Sequence, residues 1–223
     1  MVKRKESFIN DKRRVSYLSK AYYRINHGKS VLIEGGYGAG KTRFLQLIKP
    51  KRLRGVWVES LFNVHEMLAS ILRGLDYEAS ASYRKSPQYL KTICALQNYF
   101  LLIDEANDLD RRVWPYLKRI IDAEVPIVFA GLPKVRTFLT SEYPDIMSRL
   151  KILILHPIEV EDFILEYKDF EAEAIEQIYA FVKGDMRKFE EIRIDCQTKA
   201  KELKHSFVDV NLVLSLLSEL QQP

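Results

Sequence analysis

The sequence predicts an α/β fold in which a five-stranded parallel sheet lies between helices, followed by a small all-helical part. Three observations support this prediction. Five short apolar segments alternate with helical patterns over residues 1–156, as in a parallel sheet with helices on both faces. A glycine-rich loop joins the first apolar segment to a helix, and after Pro157 only helical patterns occur. We therefore divide the chain into an αβα sandwich at 1–156 and a helical subdomain at 157–223.

The elements of the first part follow from their hydrophobic periodicity. An amphipathic helix at about 10–27 places Val15, Leu18, Tyr22 and Ile25 on one face. The five predicted strands lie at 30–34, 55–60, 99–103, 124–131 and 151–155. The helices predicted between them lie at 41–48, 61–75 and 89–98, with a loop at 76–88.

The second part contains four helical patterns with no strand between them. They lie at 159–167, 171–183, 185–203 and 209–220. This change of pattern places the domain boundary near residues 156–158.

Composition limits the class of protein. With 223 residues, of which 47% are hydrophobic, the chain can bury the core of one domain, with or without a small appendage. The absence of an apolar run of about 18 residues excludes an ordinary membrane-spanning helix. The basic N-terminus lacks a following apolar segment and is not a secretory signal. Cys94 and Cys196 are too few for a disulfide framework or a zinc site, which fits a cytoplasmic protein.

Charge is unevenly distributed along the chain. Residues 1–54 contain 15 Lys and Arg against 3 Asp and Glu, a balance of +12, whereas the whole chain carries +5. A basic segment of this kind suits nucleic acid or an acidic partner, and its alternative is an ordinary solvated surface. We expect non-specific attraction to duplex DNA.

The glycine-rich loop has the spacing of a phosphate-binding P-loop. Four of the nine glycines in the chain lie within EGGYGAGKTRF, residues 34–44. Residues 35–42 satisfy G-x-x-x-x-G-K-[ST] between a strand and a helix, as the motif requires, and a mere turn needs no Lys-Thr. Lys41 is expected to reach the β- and γ-phosphates of ATP, and Thr42 to ligate Mg²⁺. The predicted nucleotide-binding residues of the loop are Gly35, Gly36, Tyr37, Gly38, Ala39, Gly40, Lys41, Thr42 and Arg43.

Two adjacent carboxylates follow the predicted strand at 99–103. Asp104 at the end of a buried strand can reach Mg²⁺ through water, and Glu105 can act as general base toward the attacking water. Such a pair could also begin an ordinary turn or helix cap. In combination with the P-loop it predicts an ATPase with Lys41 and Glu105 among its catalytic residues.

The order of these motifs resembles the AAA+ ATPases over nearly the whole chain. The segments GGYGAGKT, LLIDE, MSRL and GDMR follow one another as in that family. Within it, IVFAGLPKV at 127–135 is similar to a segment of the MuB, TnsC/TniB and ExeA group, and GDMRKFEEI at 184–192 resembles that group's second sensor. The resemblance implies the P-loop AAA+ fold, with 157–223 as a helical lid over the nucleotide.

The resemblance also assigns two arginines. Arg187 corresponds to the lid arginine that contacts the γ-phosphate, and Gly184-Asp185 before it is a plausible helix start. Arg149 corresponds to the arginine finger that one subunit offers to the nucleotide of its neighbour. The alternatives are a surface arginine for Arg187 and a structural salt bridge for Arg149.

In one place the chain departs from the family pattern. Many AAA+ proteins end the strand after the paired carboxylates with a polar sensor residue, where this chain has Ala130-Gly131. The residue that positions water besides Glu105 is therefore not identified by sequence, and slow turnover is expected.

The function that the resemblance implies is regulation of transposition. Subunits would bind ATP, assemble as a ring or helical filament on duplex DNA, and recruit or regulate a transposase. The basic segment fits this function, as does Arg111-Arg112. Two alternatives are a helicase loader of the DnaC or IstB-like kind and an ATP switch with little hydrolysis.

Overall fold

The fold of the described residues is built on one parallel sheet. A computed structural model of the protein describes residues 12–50, 52–58, 63–75 and 96–220. Its strands are β1 (Ser30–Gly35), β2 (Arg54–Trp57), β3 (Tyr99–Ile103), β4 (Ile127–Gly131) and β5 (Leu150–Leu155). All four strand pairs are parallel, in the order β2-β3-β4-β1-β5. The predicted five-stranded parallel sheet is confirmed.

Burial explains which strands occupy the centre of the sheet. All residues of β1 and β4 are buried, as expected for strands covered on both faces. The edge strands β2 and β5 contain exposed cationic residues, Arg54 and Lys151. Charged side chains at a sheet edge also oppose pairing with another chain.

The helices around the sheet agree with the predicted alternation. They are α1 (Lys12–Asn26), α2 (Lys41–Leu47), α3 (Val64–Gly74), α4 (Trp114–Asp122), α5 (Pro133–Glu142) and α6 (Pro144–Met147). Helices α4, α5 and α6 were not predicted from the sequence. The predicted loop at 76–88 and helix residues 89–95 lie outside the described residues, and Leu96–Asn98 form a 3-10 turn.

Two predicted strand boundaries were wrong. The strand predicted at 55–60 comprises Arg54–Trp57, and residues 59–60 lie outside the described residues. The strand predicted at 124–131 begins only at Ile127. Glu124 has a φ of 58°, in the left-handed region, so residues 124–126 form the turn between α4 and β4.

The chain divides into two compact units. One unit comprises Ser16–Gly36 and Gly40–Leu155, and the other contains the start of α1 through Val15, Tyr37–Ala39 and the chain from His156 onward. The core of the first unit includes Trp114 packed on Phe129, with ring centroids 5.5 Å apart.

The C-terminal unit is helical, as predicted. Its helices are α7 (Val160–Glu166), α8 (Ala172–Val182), α9 (Met186–Glu202) and α10 (Val210–Leu220). They enclose a separate core in which the rings of Phe163 and Phe189 lie 4.2 Å apart. Of the helices in the described part of the chain, none is both long and apolar enough to cross a membrane.

Candidate functional site

Three loops follow neighbouring strands at one edge of the sheet. β1, β3 and β4 are parallel, so their carboxyl ends lie at the same edge. β4 is between the other two, with Glu34 opposite Gly131 and Ile103 opposite Phe129. Because adjacent strands are separated by about 4.8 Å, the ends of β1 and β3 are about 10 Å apart. The segments predicted to form the site therefore begin close to one another.

The glycine-rich loop has the backbone conformation that its sequence requires. Gly38 and Gly40 have φ values of 70° and 77°, in the left-handed region that only glycine enters without strain. A Cβ atom added at Gly36 would meet no atom within 4 Å. Gly40 directly precedes α2. Open space therefore lies beside the loop at Gly36.

Lys41 is the buried cation of this site. Its side chain Nζ donates to the carbonyl oxygens of Gly35 at 3.1 Å and Gly36 at 2.9 Å, and the residue is only 6% exposed. Thr42 follows it in the first turn of α2. A buried ammonium needs hydrogen-bond acceptors, which here are supplied by the loop itself.

Asp104 and Glu105 follow β3 directly. Asp104 Oδ1 accepts a hydrogen bond from the Glu105 N–H at 2.9 Å, which fixes the orientation of the Asp104 carboxylate. Glu105 has a φ of 47°, an unusual backbone conformation for a residue with a side chain. The Asp108 N–H donates to the Glu105 carbonyl at 2.9 Å and closes the turn. The carboxylate pair is thus held in a strained, hydrogen-bonded turn.

Asn107 reaches from this turn to the end of β4. Its Oδ1 accepts a hydrogen bond from the Leu132 N–H at 3.2 Å. Sequence reasoning did not identify Asn107, because the contact joins two loops 25 residues apart. The only available signal was the lack of a polar side chain at Ala130-Gly131.

A buried carboxylate also lies at this edge. Glu34, the residue before Gly35, has a side chain only 5% exposed, and its Oε2 lies 3.1 Å from Arg136 Nε on α5. Sequence reasoning missed this pair, since neither residue belongs to a motif.

Arg149 lies at the amino-terminal ends of the strands, opposite the end at which the glycine-rich loop begins. It directly precedes β5, whose first residue Leu150 pairs with Ser30, the first residue of β1. A six-residue strand is about 17 Å long, so the strand length separates Arg149 from the glycine-rich loop of its own chain. Its guanidinium forms an ion pair with Asp122, and its carbonyl oxygen accepts a hydrogen bond from Arg24 Nη2 at 3.3 Å. The structure does not bring Arg149 together with the other predicted site residues.

Arg187 lies in the first turn of α9, as expected. Asp185 is the N-cap of this helix and accepts the Arg187 N–H at 2.9 Å. Tyr37–Ala39 belong to the same compact unit as this helix, and the Met186 N–H donates to the Gly38 carbonyl at 3.2 Å. Arg187 itself is exposed.

One face of α1 forms a basic surface. An open cleft of about 500 Å³ is lined by Ser16, Ser19, Lys20, Tyr23, Arg24 and Lys151. Each ionisable side chain of this lining is cationic or a tyrosine, and Tyr23 is 66% exposed and lies on the His27 ring, with centroids 4.3 Å apart. We call this set of six residues the α1 basic cleft.

Arg111-Arg112 provides less free charge than its sequence indicates. Arg112 donates from Nε and Nη2 to the two oxygens of Asp110, at 3.0 and 2.8 Å. These hydrogen bonds lower the pKa of Asp110 to about 2. Arg111 lies over the ring of Phe138, 5.5 Å from its centroid. The Arg112 charge is therefore already neutralised within the chain.

Comparisons with known proteins identify the fold. The sequence matches no protein-family model and no curated protein sequence. Among solved structures, the Orc1 protein of Aeropyrum pernix in complex with DNA superposes with a TM-score of 0.69 at 16% identity, covering 93% of this chain and 65% of the other. Cdc6p of Pyrobaculum aerophilum gives 0.69 at 15% identity, covering 91% and 66%.

A third similar structure is RuvB of Thermotoga maritima, a Holliday junction branch migration motor. It superposes with a TM-score of 0.62 at 19% identity, and the match covers 94% of this chain and 67% of RuvB. The chain thus spans about two thirds of the length of each of these proteins. Together with the sheet order, these likenesses show the α/β P-loop fold of the AAA+ class with a helical C-terminal part.

Proposed function

We propose that this chain binds and hydrolyses ATP as an oligomer on duplex DNA. The observation that carries the proposal lies at the carboxyl edge of the sheet. There, a loop with two left-handed glycines and the buried Lys41 follows β1, and Asp104-Glu105 follow β3 on the other side of β4. A polyphosphate site beside an acidic pair is the arrangement used for phosphoryl transfer to water.

The glycine-rich loop fits a chain of phosphates. The open space beside Gly36 admits an anion close to the backbone, and Lys41 stands at the end of the same loop. Phosphate oxygens would be stronger acceptors for the Lys41 ammonium than the two carbonyl oxygens it now contacts. Tyr37 is 78% exposed, so its side chain does not fill the loop.

Thr42 and Asp104 are the residues that would hold Mg²⁺. A hydroxyl and a carboxylate are oxygen ligands of the kind that this ion prefers. Asp104 is already oriented by its bond to the Glu105 N–H. When bound, Mg²⁺ neutralises charge on the phosphate oxygens.

Glu105 would accept the proton of the attacking water. Glu105 follows Asp104 directly, so its carboxylate would lie close to the terminal phosphate of a nucleotide whose Mg²⁺ Asp104 holds. Its left-handed backbone supports the assignment, because strained residues cluster at functional sites.

Two arginines would complete the site. Arg149, at the amino-terminal end of β5, would act on the nucleotide of a neighbouring subunit, so hydrolysis would depend on oligomer formation. Residues 157–223 would form a lid subdomain, with Arg187 contacting the terminal phosphate. The hydrogen bond from the Met186 N–H to the Gly38 carbonyl, both within one compact unit, supports this assignment.

Duplex DNA would bind through its phosphate backbone. The α1 basic cleft supplies Lys20, Arg24 and Lys151 on one face, and contacts of this kind position a protein without reading sequence. The similar Orc1 structure is a complex with DNA, and RuvB is a motor that acts on Holliday junctions. We further propose that the oligomer, a ring or a filament, recruits or regulates a transposase, as the resemblance of residues 127–135 implies.

The test compares the wild-type protein with Glu105→Gln. Phosphate release is measured with and without duplex DNA, and ATP binding is measured separately with a fluorescent nucleotide. We expect DNA-stimulated release by the wild type, and binding without release by Glu105→Gln, because the amide cannot accept the proton. Absence of both binding and release in the wild type would refute the proposal. Negative-stain images with ATP and DNA would then separate rings from filaments.

A further inference from the structure

We propose that Asn107 is a positioning residue for Glu105 and replaces the polar side chain that β4 lacks. This inference rests on the proposed ATPase function. The role proposed for Asn107 is distinct from that function, because Asn107 belongs to neither the glycine-rich loop nor the carboxylate pair.

The position of β4 is the first support for this role. The strand lies between β1 and β3, so its last residues are the natural place for a polar group between the glycine-rich loop and Glu105. Those residues are Ala130 and Gly131, which have no polar side chain. Any polar group at this position must therefore come from another element.

The space beside Gly131 is already occupied. A Cβ atom added there would lie 3.5 Å from Asn107 Oδ1, 3.5 Å from Ala106 Cβ and 2.8 Å from Val135 Cγ2. The turn after β3 and α5 therefore fill the volume that a side chain at position 131 would enter. The polar atom in that volume comes from Asn107.

Hydrogen bonds fix the orientation of the Asn107 amide. Its Oδ1 accepts the N–H of Leu132, the residue that precedes α5 and has no side-chain cap of its own. Its Nδ2 donates to Asp108 Oδ1 at 2.8 Å, so both ends of the amide have complementary partners. The orientation of the amide follows from these two bonds.

The same hydrogen bonds bear on the position of Glu105. This residue has a φ of 47°, which is strained for a residue with a side chain and persists only when surrounding contacts hold it. Asp104 holds its N–H and Asp108 holds its carbonyl oxygen. Both contacts lie within the turn. Asn107 adds a hydrogen bond from the turn to the end of β4, beside the buried Ala106, and loss of this bond lets the turn shift relative to the glycine-rich loop.

The experiment uses Asn107→Ala and Asn107→Asp in the full chain, with Asn98→Ala as matched control. Asn98 is exposed at the opposite end of β3 and undergoes the same chemical deletion. In Asn107→Ala we expect kcat to fall about 10- to 100-fold, since a shift of about 1 Å at a reacting group has effects of that size. The dissociation constant for ATP should stay within about twofold, because the glycine-rich loop is untouched.

Asn107→Asp separates anchoring from other roles. The carboxylate keeps the acceptor for the Leu132 N–H and loses only the donor to Asp108 Oδ1, so part of the kcat lost in Asn107→Ala should return. Recovery of kcat in the Asp variant, with the dissociation constant for ATP unchanged in both variants, is a result that a merely structural role would not give.

A readout independent of turnover tests the bond directly. Hydrogen exchange of the Leu132 amide should accelerate in Asn107→Ala and stay slow in Asn107→Asp and Asn98→Ala. Unchanged exchange in Asn107→Ala, or a kcat within about twofold of the wild type, would overturn the inference. Equal loss of kcat in the Ala and Asp variants would also overturn it. If the wild type itself hydrolyses no ATP, the proposed function fails instead, and the exchange result still decides whether the bond exists.

Discussion

Arg136 Nε lies 3.1 Å from Glu34 Oε2 at the carboxyl edge of the sheet. The Glu34 side chain is buried one residue before the glycine-rich loop, whereas the Arg136 side chain is 43% exposed. Among the described residues, no aligned hydrogen bond reaches Glu34 Oε2, so the contact is ionic. Arg136 thus neutralises a carboxylate that would otherwise repel phosphate.

Removal of Arg136 should therefore destabilise the fold and weaken ATP binding together. We expect Arg136→Ala to lower the free energy of unfolding by about 1–3 kcal/mol, because a charged group is left buried without a partner. The Glu34→Gln/Arg136→Ala double variant should recover most of this loss. Lys134→Ala, an exposed change in the same helix, should stay within about 0.5 kcal/mol. Denaturant titration measures the free energy of unfolding of the wild type and the three variants. A double variant that is less stable than Arg136→Ala would contradict the interpretation.

The open space beside Gly36 predicts a separation of binding from stability. Gly36→Ala should leave the unfolding free energy nearly unchanged, because the new Cβ meets no protein atom within 4 Å. It should weaken ATP binding by about tenfold or more, a change of about 1.4 kcal/mol, because the methyl group enters the phosphate space.

Gly28→Ala is the matched control for Gly36→Ala. Its φ is 67° and its Cβ would lie 3.1 Å from the Glu124 carbonyl, so this change should cost about 1–2 kcal/mol of stability. ATP affinity of the folded protein should not change. Equal ATP affinity in Gly36→Ala and the wild type would show that the phosphates lie elsewhere.

Arg149 and Glu105 should complement each other across subunits. Arg149→Ala should bind ATP but lose hydrolysis by on the order of 1000-fold, because a neighbouring transition state loses its cation. Glu105→Gln should keep ATP bound. A mixture of the two variants pairs an intact Glu105 with an intact Arg149, so its phosphate release should exceed that of either variant alone.

Asp122→Asn distinguishes this role of Arg149 from a salt bridge. If Arg149 matters only through its ion pair with Asp122, this variant should reproduce the loss of Arg149→Ala. We expect it to retain hydrolysis. Additive activity in the mixture at every ratio, with assembly confirmed, would mean that Arg149 does not act in trans.

The α1 basic cleft should account for part of the DNA affinity. The DNA association constant K falls as salt rises, and the magnitude of the slope of log K against log salt concentration should be smaller by about 2 in the Lys20→Ala/Lys151→Ala variant. Each lysine would neutralise about one phosphate. Arg112→Ala should leave the slope unchanged, since Asp110 already neutralises that charge. Gel shifts over a salt series measure the slopes. An unchanged slope in the double variant would exclude the α1 basic cleft as a phosphate-binding surface.

Burial raises the pKa of the Cys196 thiol to about 11. The folded state therefore favours the neutral thiol. This contribution to stability is fully present below the unfolded pKa of about 8.5 and is lost as the pH rises through about 11. In a Cys94→Ser variant at pH 8, a thiol reagent should label Cys196 slowly in the native protein and rapidly in denaturant. Rapid native labelling would contradict the buried position of Cys196.

The alternation of strands and helices was predictable because hydrophobic periodicity is local. The αL glycines at 38 and 40, the acidic pair after β3 and the start of α9 at Asp185-Met186 also lie within short segments. Strand boundaries were less predictable. Glu124 enters the left-handed region because it closes the C-terminus of α4: its N–H donates to the Ile121 carbonyl, and the Val125 N–H donates to the Ile120 carbonyl. Glycine is the usual residue at such a position, so a glutamate gives no sequence signal for it.

The sequence by itself determined the fold class, the order of the strands and the composition of the two motifs, since each depends on neighbours along the chain. The tertiary structure decided which distant residues meet. Strand order places β4 between β1 and β3, and so brings Asn107 to Leu132 and Arg136 to Glu34. The parallel register of β1 and β5 places Arg149 at the amino-terminal end of β5, a strand length from the glycine-rich loop of its own chain. The contacts of Asn107 and Arg136 and the position of Arg149 depend on pairing between strands far apart in the chain, so only the assembled sheet determines them.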